Sequence, residues 1–310
     1  MLELLSTRQN PMVDPLLHVW GWEIPVYLFL GGWVAGCMVI SGWLLRRERA
    51  TGGASVLGVL PWAGLVLISA GMLALFLDLE HKLYVWRIYL AFEPTSPMSW
   101  GAWILLLVYP VLALTGLVTL RASSVTRWPA LASLRSALDR PAALRVLGLA
   151  GIVGGIGLGI YTGILLSSLG ARPLWASGVL GPLFLVSGLS TGAAFAHMVA
   201  RDAGERATLL RSDNLFLLIE LVLIVLFLIS LATAGEAQAQ AAGLLLGGPY
   251  TAVFWVLVVG LGLLLPLALQ TLMVSHRIGH TLVAPVLVMG GGLALRFVLV
   301  AAGQASAWPS

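Results

Sequence analysis

Eight apolar stretches follow one another along this chain, each about as long as a helix that crosses the ~30 Å hydrocarbon core of a bilayer. They cover residues 24–45, 55–77, 99–120, 146–168, 176–199, 213–235, 250–274 and 281–302. Only 10% of the residues are charged, against roughly 25% in an ordinary water-soluble domain. That is too little charge to cover a wet surface, so the solvent must be lipid. In lipid every backbone N–H and C=O has to pair internally, which leaves helices or closed barrels. Barrel strands alternate apolar and polar residues over about ten positions, and these runs are continuous. The expectation is therefore all-α: residues 1–310 form one polytopic membrane domain, a bundle of eight transmembrane helices. Residues 1–23 carry a single cation, Arg8, and the first run is closed by Arg46-Arg47-Glu48-Arg49. That pattern predicts a retained helix rather than a cleaved signal.

The connecting segments alternate in charge. Twelve of the 17 Lys and Arg residues follow the first, third, fifth and seventh runs; Arg8, Lys82, Arg87 and Arg172 lie on the other side, and Arg296 lies within the last run. Arginine-rich segments stay in the cytoplasm, so both termini are expected on the outer, periplasmic side. The net charge of +4 is an orientation signal, and nucleic acid is not an expected partner. Residues 78–98 mix Lys82 and Arg87 with Tyr84, Trp86 and Tyr89, the composition of a segment lying in the membrane interface. Residues 121–145, on the other side, are amphipathic too. Gly151, Gly155, Gly159 and Gly163 recur every four residues and predict a groove into which a neighbouring helix packs closely.

Ionisable groups at membrane depth are costly and mark functional sites. With the topology above, His18 and Glu23 precede the first run on the outer side, Asp78 closes the second, and Tyr161 and Arg296 fall in the outer thirds of the fourth and eighth. Glu220 is placed in the inner third of the sixth run, with His197 near the inner end of the fifth. Each has a plainer reading: interfacial residues for His18 and Glu23, a helix cap for Asp78, an ordinary packed aromatic for Tyr161, an inert protonated acid for Glu220. Arg296 is the hardest to dismiss, because a fixed cation in the bilayer needs a counter-charge or a set of carbonyls. The one cysteine, Cys37, cannot hold an iron–sulfur cluster, and no pair of facing histidines suits haem. No His/Cys/Asp grouping predicts a metal site.

In order along the chain come Trp20-Gly-Trp-Glu-Ile-Pro-Val-Tyr-Leu-Phe-Leu-Gly-Gly-Trp-Val-Ala-Gly36, Leu77-Asp-Leu-Glu-His81, Ser96-Pro-Met-Ser-Trp-Gly101, Tyr161-Thr-Gly-Ile-Leu-Leu166, Pro173-Leu-Trp175, Ser190-Thr-Gly-Ala-Ala194 and Gly290-Gly-Gly-Leu-Ala-Leu-Arg296. In this series the chain resembles the NrfD-like family, the type of the polysulfide reductase membrane subunit. The resemblance implies a quinone-reactive anchor in a bacterial or archaeal cytoplasmic membrane, serving anaerobic respiration. It implies menaquinone or ubiquinone as an exchangeable cofactor, with no haem and no iron–sulfur cluster in this chain. The implied partners are a ferredoxin-like iron–sulfur subunit and a catalytic subunit, typically a molybdopterin enzyme, on the outer side. Tyr161 would bond a quinone oxygen, His18 would be a second contact or proton donor, and Asp78 and Arg296 would match acidic and basic residues near the pocket, with Glu23 beside them. One departure stands out: His81-Lys82 replaces the family's usual arginine–proline, which puts the local loop and the docking surface in doubt.

Quinone chemistry moves two electrons and two protons, and titratable groups beside the quinone oxygens must carry the protons. Asp78 and His18 are the candidates for exchange with the outer side, and Glu220 and His197 for a path from the inner side. Two other classes compete. A secondary transporter would show inverted repeats and a midplane site; a purely structural anchor would give the buried charges no role.

Overall fold

The computed structural model describes residues 20–47, 55–79, 81–90, 92–120, 128–169, 172–275, 277 and 279–307. The described chain is helical. In order it forms α1 (Glu23–Arg47), α2 (Leu60–Asp78), the short α3 (Arg87–Leu90), α4 (Pro97–Thr119), α5 (Pro129–Leu138), α6 (Pro141–Ser167), α7 (Leu180–Val199), α8 (Ala203–Ala234), α9 (Glu236–Leu246), α10 (Val253–Val274) and α11 (Val283–Ala305). Eight of these, all but α3, α5 and α9, are long and apolar enough to cross a membrane.

α1 is the central helix. It packs against α6, α2, α7 and α11, and its glycines set how closely. A Cβ on Gly36 would come within 2.9 Å of the Gly192 Cα, so α1 and α7 touch through their backbones. The glycine stripe of α6 serves the same purpose: Gly151 and Gly155 face the Met38 and Ala35 carbonyls of α1, whereas Gly159 and Gly163 face Leu185 and Leu180 of α7. Without a hydrophobic drive between helices in lipid, this close van der Waals approach holds the bundle together.

α8 is packed inside out. Its lipid-side stripe, Leu215, Leu218, Val222, Val225 and Ile229, is apolar, while the stripe turned into the protein runs Asp213, Leu217, Glu220, Ile224, Phe227 and Leu231. Val225 is 55% exposed and Glu220 2%, so both carboxylates face the interior. The helix also begins ten residues before the apolar run at 213. Asp202 caps it by accepting from the Glu205 N–H at 2.7 Å, an ordinary helix start that hydropathy does not register. Gly235 (φ 159°, ψ 174°) ends it, in a backbone region essentially restricted to glycine. Residues Val253–Leu264 of α10 are π-helical, an uncommon winding over that length.

Candidate functional site

Two buried polar groupings lie on different seams of the bundle. The first is where α1, α4 and α6 meet. Tyr161 projects from α6 and Tyr27 from α1; both are buried, and their hydroxyls lie close enough to interact with each other. Gly101 of α4 makes room for the pair: a Cβ at that position would collide with the Tyr161 hydroxyl and ring. A third phenol, Tyr89 of α3, lies within electrostatic range of Tyr27. Burial, and then Tyr109, push its hydroxyl above the usual tyrosine range. At the same end of the bundle the half-buried Asp78 (end of α2) and Glu23 (start of α1) lie within electrostatic range of each other. The chain entering α1 is tied down there. The Trp20 N–H donates to Gln304 Oε1 (2.9 Å), Gln304 Nε2 donates to the Trp20 carbonyl (3.1 Å), and the Trp20 ring stacks on Trp175 at 5.2 Å. His18 lies outside the described residues.

The second grouping is built by α7, α8, α10 and α11. Arg296 donates to Ser187 Oγ, to the Phe184 carbonyl (3.1 Å) and to the Gly292 carbonyl (3.2 Å), and lies 4.7 Å from the Phe184 ring centroid. Glu220 is in electrostatic range of Arg296 and hydrogen-bonded to Ser187. Two turns along the same face of α8, Asp213 accepts from Ser190 Oγ (2.8 Å) and Gln270 Nε2 (2.7 Å), and its second oxygen is 3.6 Å from His197 Nε2. The His197 ring meets that of His280 edge-on at 5.7 Å, and His280 is exposed at the end of the bundle. Among the described residues both His197 ring nitrogens, Gln270 Oε1 and Arg296 Nε are buried without a hydrogen-bond partner.

The sequence expectation grouped Arg296 with Tyr161, Asp78 and Glu23, and kept Glu220 apart in an inner third. The structure groups them differently. Glu220 stands 17 residues past the start of α8, about 25 Å along its axis, and there it meets Arg296. The counter-charge that Arg296 requires is thus Glu220, at mid-bundle. His197 is brought to Asp213, a residue the sequence reading passed over because it sits at the edge of the apolar run. Tyr27 was missed as well, although its seven-residue spacing from Trp20 and its place inside the quoted opening motif were available. Among the described residues no group of three or more His, Cys, Asp or Glu is arranged to hold a metal ion. A groove of about 510 Å³ between α1, α2 and α7, lined by Trp33, Trp62, Val66 and Phe195, is apolar, open to the lipid side and away from both groupings, and carries no chemistry.

An eight-helix bundle with a buried phenol pair near one face and a carboxylate–arginine network through its middle defines a multi-pass membrane protein with internal polar sites. Residues 9–307 match the family model "Polysulphide reductase, NrfD", and the protein belongs to that family. It is similar to one of the chains of the polysulfide reductase of Wolinella succinogenes, 30% identical over 92% of this sequence and 94% of that one. It is also similar to the protein NrfD of Escherichia coli, 32% identical over 92% and 95%. One of the subunits of the tetrathionate reductase of Salmonella typhimurium is 29% identical over 76% of this sequence and 65% of its own.

Proposed function

We propose that this protein is the quinone-reactive membrane subunit of a multi-subunit respiratory oxidoreductase, passing electrons between the membrane quinone pool and an iron–sulfur partner subunit that serves a catalytic subunit. Family membership supports the oxidoreductase complex, because relatives are named as parts of polysulfide and tetrathionate reductases. The observation that carries the quinone reading is the buried Tyr161–Tyr27 hydroxyl pair against Gly101. A quinone headgroup needs hydrogen-bond donors at its carbonyl oxygens in apolar surroundings, with acids at the edge to exchange protons. Phenols at Tyr161 and Tyr27, backed by Asp78 and Glu23, are that donor set. Menaquinone or ubiquinone bound there supplies the two-electron, two-proton chemistry. The residues orient it, hold water off its oxygens and, through Asp78 with His18 upstream, exchange protons with the outer aqueous side. Arg296 belongs with the mid-bundle network and acts on this site only at a distance.

Tyr161→Phe tests the reading in the assembled complex. Loss of a buried donor to a polar ligand is worth about 1–3 kcal/mol, so quinol-coupled turnover should fall by roughly 5- to 150-fold while artificial-dye activity of the catalytic subunit is kept. A structural anchor would leave both rates unchanged.

The same reading gives the second grouping a role. His280, His197, Asp213 and Glu220 lead from one end of the bundle to Arg296 at its middle, and the unpaired His197 and Gln270 atoms are those to which a proton-carrying water would bond. This is a path for protons from the arginine-rich side. Glu220→Gln and Asp213→Asn should each abolish proton uptake from that side in vesicles while sparing quinone binding; unchanged uptake in both variants would sink the path.

A further inference from the structure

Cationic charge is concentrated at one corner of the arginine-rich end. The end of α1, the start of α6 and the segments joining α1 to α2 and α4 to α6 carry Arg46, Arg47, Arg49, Arg121, Arg127, Arg135, Arg140 and Arg145 against only Glu48 and Asp139. Of these, Glu48, Arg49, Arg121 and Arg127 lie outside the described residues. Elsewhere at this end Arg201, Arg211 and Arg277 are exposed as well, but Glu205, Asp202 and Arg206 are used internally. Glu205 accepts from Ser55 Oγ (2.7 Å) and the Val56 N–H (3.1 Å), Asp202 caps α8, and Arg206 donates to the Ala200 carbonyl.

The corner is different. Helix packing brings its cations together: a Cβ on Gly148 of α6 would lie 2.7 Å from Arg46 Cγ of α1, and Arg145 is one turn before Gly148 on that helix. Arg46, Arg47, Arg140 and Arg145 are all exposed. Among the described residues the one close acid–base pair is His197–Asp213, so none of these arginines has a carboxylate partner there.

Two further observations put this charge at the lipid boundary. Val146, Leu149 and Val153, immediately beyond Arg145 on α6, are 68%, 48% and 58% exposed, an apolar surface of the kind that faces acyl chains. Arg47 lies over the ring of the exposed Trp43, 5.0 Å from its centroid, as a residue anchored at headgroup level does. α5 packs against α4 and the start of α6; Trp128 just before it and Leu131 and Leu134 within it are exposed at three-residue spacing, and Arg135 is turned back to donate to the Leu120 carbonyl at 3.1 Å. An amphipathic helix of this kind rests in the interface with its apolar face among acyl chains.

We propose that the corner formed by the end of α1, the start of α6 and the interfacial helix α5 is a binding site for an anionic phospholipid of the arginine-rich leaflet. The guanidinium groups of Arg46, Arg140 and Arg145 would take the phosphate, and the apolar surfaces of α5 and α6 its acyl tails. Arginine matches phosphate geometry with paired donors, and basic recesses between membrane helices on this side suit such headgroups.

The test is native mass spectrometry of the purified complex offered equimolar phosphatidylglycerol and phosphatidylcholine. At about fivefold per arginine near a headgroup, the anionic lipid should be retained over the neutral one by at least an order of magnitude. The R46Q/R140Q/R145Q variant should fall to near parity, and R201Q/R211Q, on the other loop, should not. Equal retention of the two lipids by the wild type, or a preference that survives the triple substitution, overturns the proposal. So does displacement of phosphatidylglycerol by millimolar inorganic phosphate, which would mark a site for free anions. Should the triple variant fail to insert, the wild type decides through salt: the preference must weaken as sodium chloride rises, and a salt-independent preference overturns it.

Discussion

Arg296 and Glu220 each depend on the other. A guanidinium within the bilayer is tolerable because Ser187, two carbonyls and a carboxylate surround it, and the carboxylate is tolerable for the converse reason. Breaking a buried pair by removing one partner typically costs 3–5 kcal/mol, whereas replacing both can be nearly neutral. Arg296→Met alone should therefore lower the unfolding midpoint in mild detergent sharply, and Arg296→Met with Glu220→Gln should recover much of the loss. A double variant as unstable as the sum of the singles would separate the two residues. His280, at the end of the same network but outside the spans, gives a pH prediction. Partial desolvation, then Arg206 and His197, hold its imidazole below the ordinary value of 6.5. The folded protein then takes up that proton later than the unfolded chain, so this group withdraws stability as pH falls through 6.5. Histidine NMR should place its midpoint below 6.5, and Arg206→Gln, which removes a repelling cation, should move it upward. How much of the site the sequence discloses follows from where each residue sits. Tyr161 and Arg296 interrupt apolar runs and are visible; Asp213 sits where a run begins and looks like a boundary. Partnership is not visible at all, because whether Arg296 meets Asp78 or Glu220 is decided by helix packing.

At the scale of the helix, glycine decides which faces meet. Gly36 and Gly192 bring the α1 and α7 backbones into contact, whereas a Cβ on Gly157 of α6 would meet nothing within 4 Å. Overpacking a close contact costs about 1–3 kcal/mol, and Gly→Ala at an unobstructed helical position gains up to about 1 kcal/mol. Gly36→Ala and Gly192→Ala should each destabilise the detergent-solubilised protein by that larger amount, and Gly157→Ala should leave the midpoint unchanged or raise it. Equal effects at all three positions would remove the packing explanation. The eight long helices are readable because an unbroken apolar run of bilayer length has few other solutions. Their ends are less so. α8 starts at Ala203, through Arg206, Arg211 and Asp213, because helix formation depends on the cap and on internal hydrogen bonds rather than on apolarity. α9 and the π-helical part of α10 leave no trace in hydropathy for the same reason.

Across the whole molecule, α1 lies between the two groupings: Tyr27 faces the phenol site, and the Gly32 backbone lies beside Arg296, where an added Cβ would be 3.2 Å from Nη2. Protons for the proposed quinone site near one face would therefore come from either side, and membrane orientation decides what that means. Twelve Lys and Arg residues fall on one side against four on the other, and the positive-inside rule predicts that the richer side faces the cytoplasm. Alkaline phosphatase fused after Ser310 should then be active, and a fluorescent protein inserted after Thr126 should fold and fluoresce in intact cells. In that orientation the proposed quinone site at Tyr161 would lie near the outer face and the His280–Asp213–Glu220 network would open inward, so turnover that draws protons through it would remove them from the cytoplasm and charge the membrane. The inverse fusion pattern would turn the network to face outward. Proton uptake through it would then come from the outer side, and the same residues would conserve no energy.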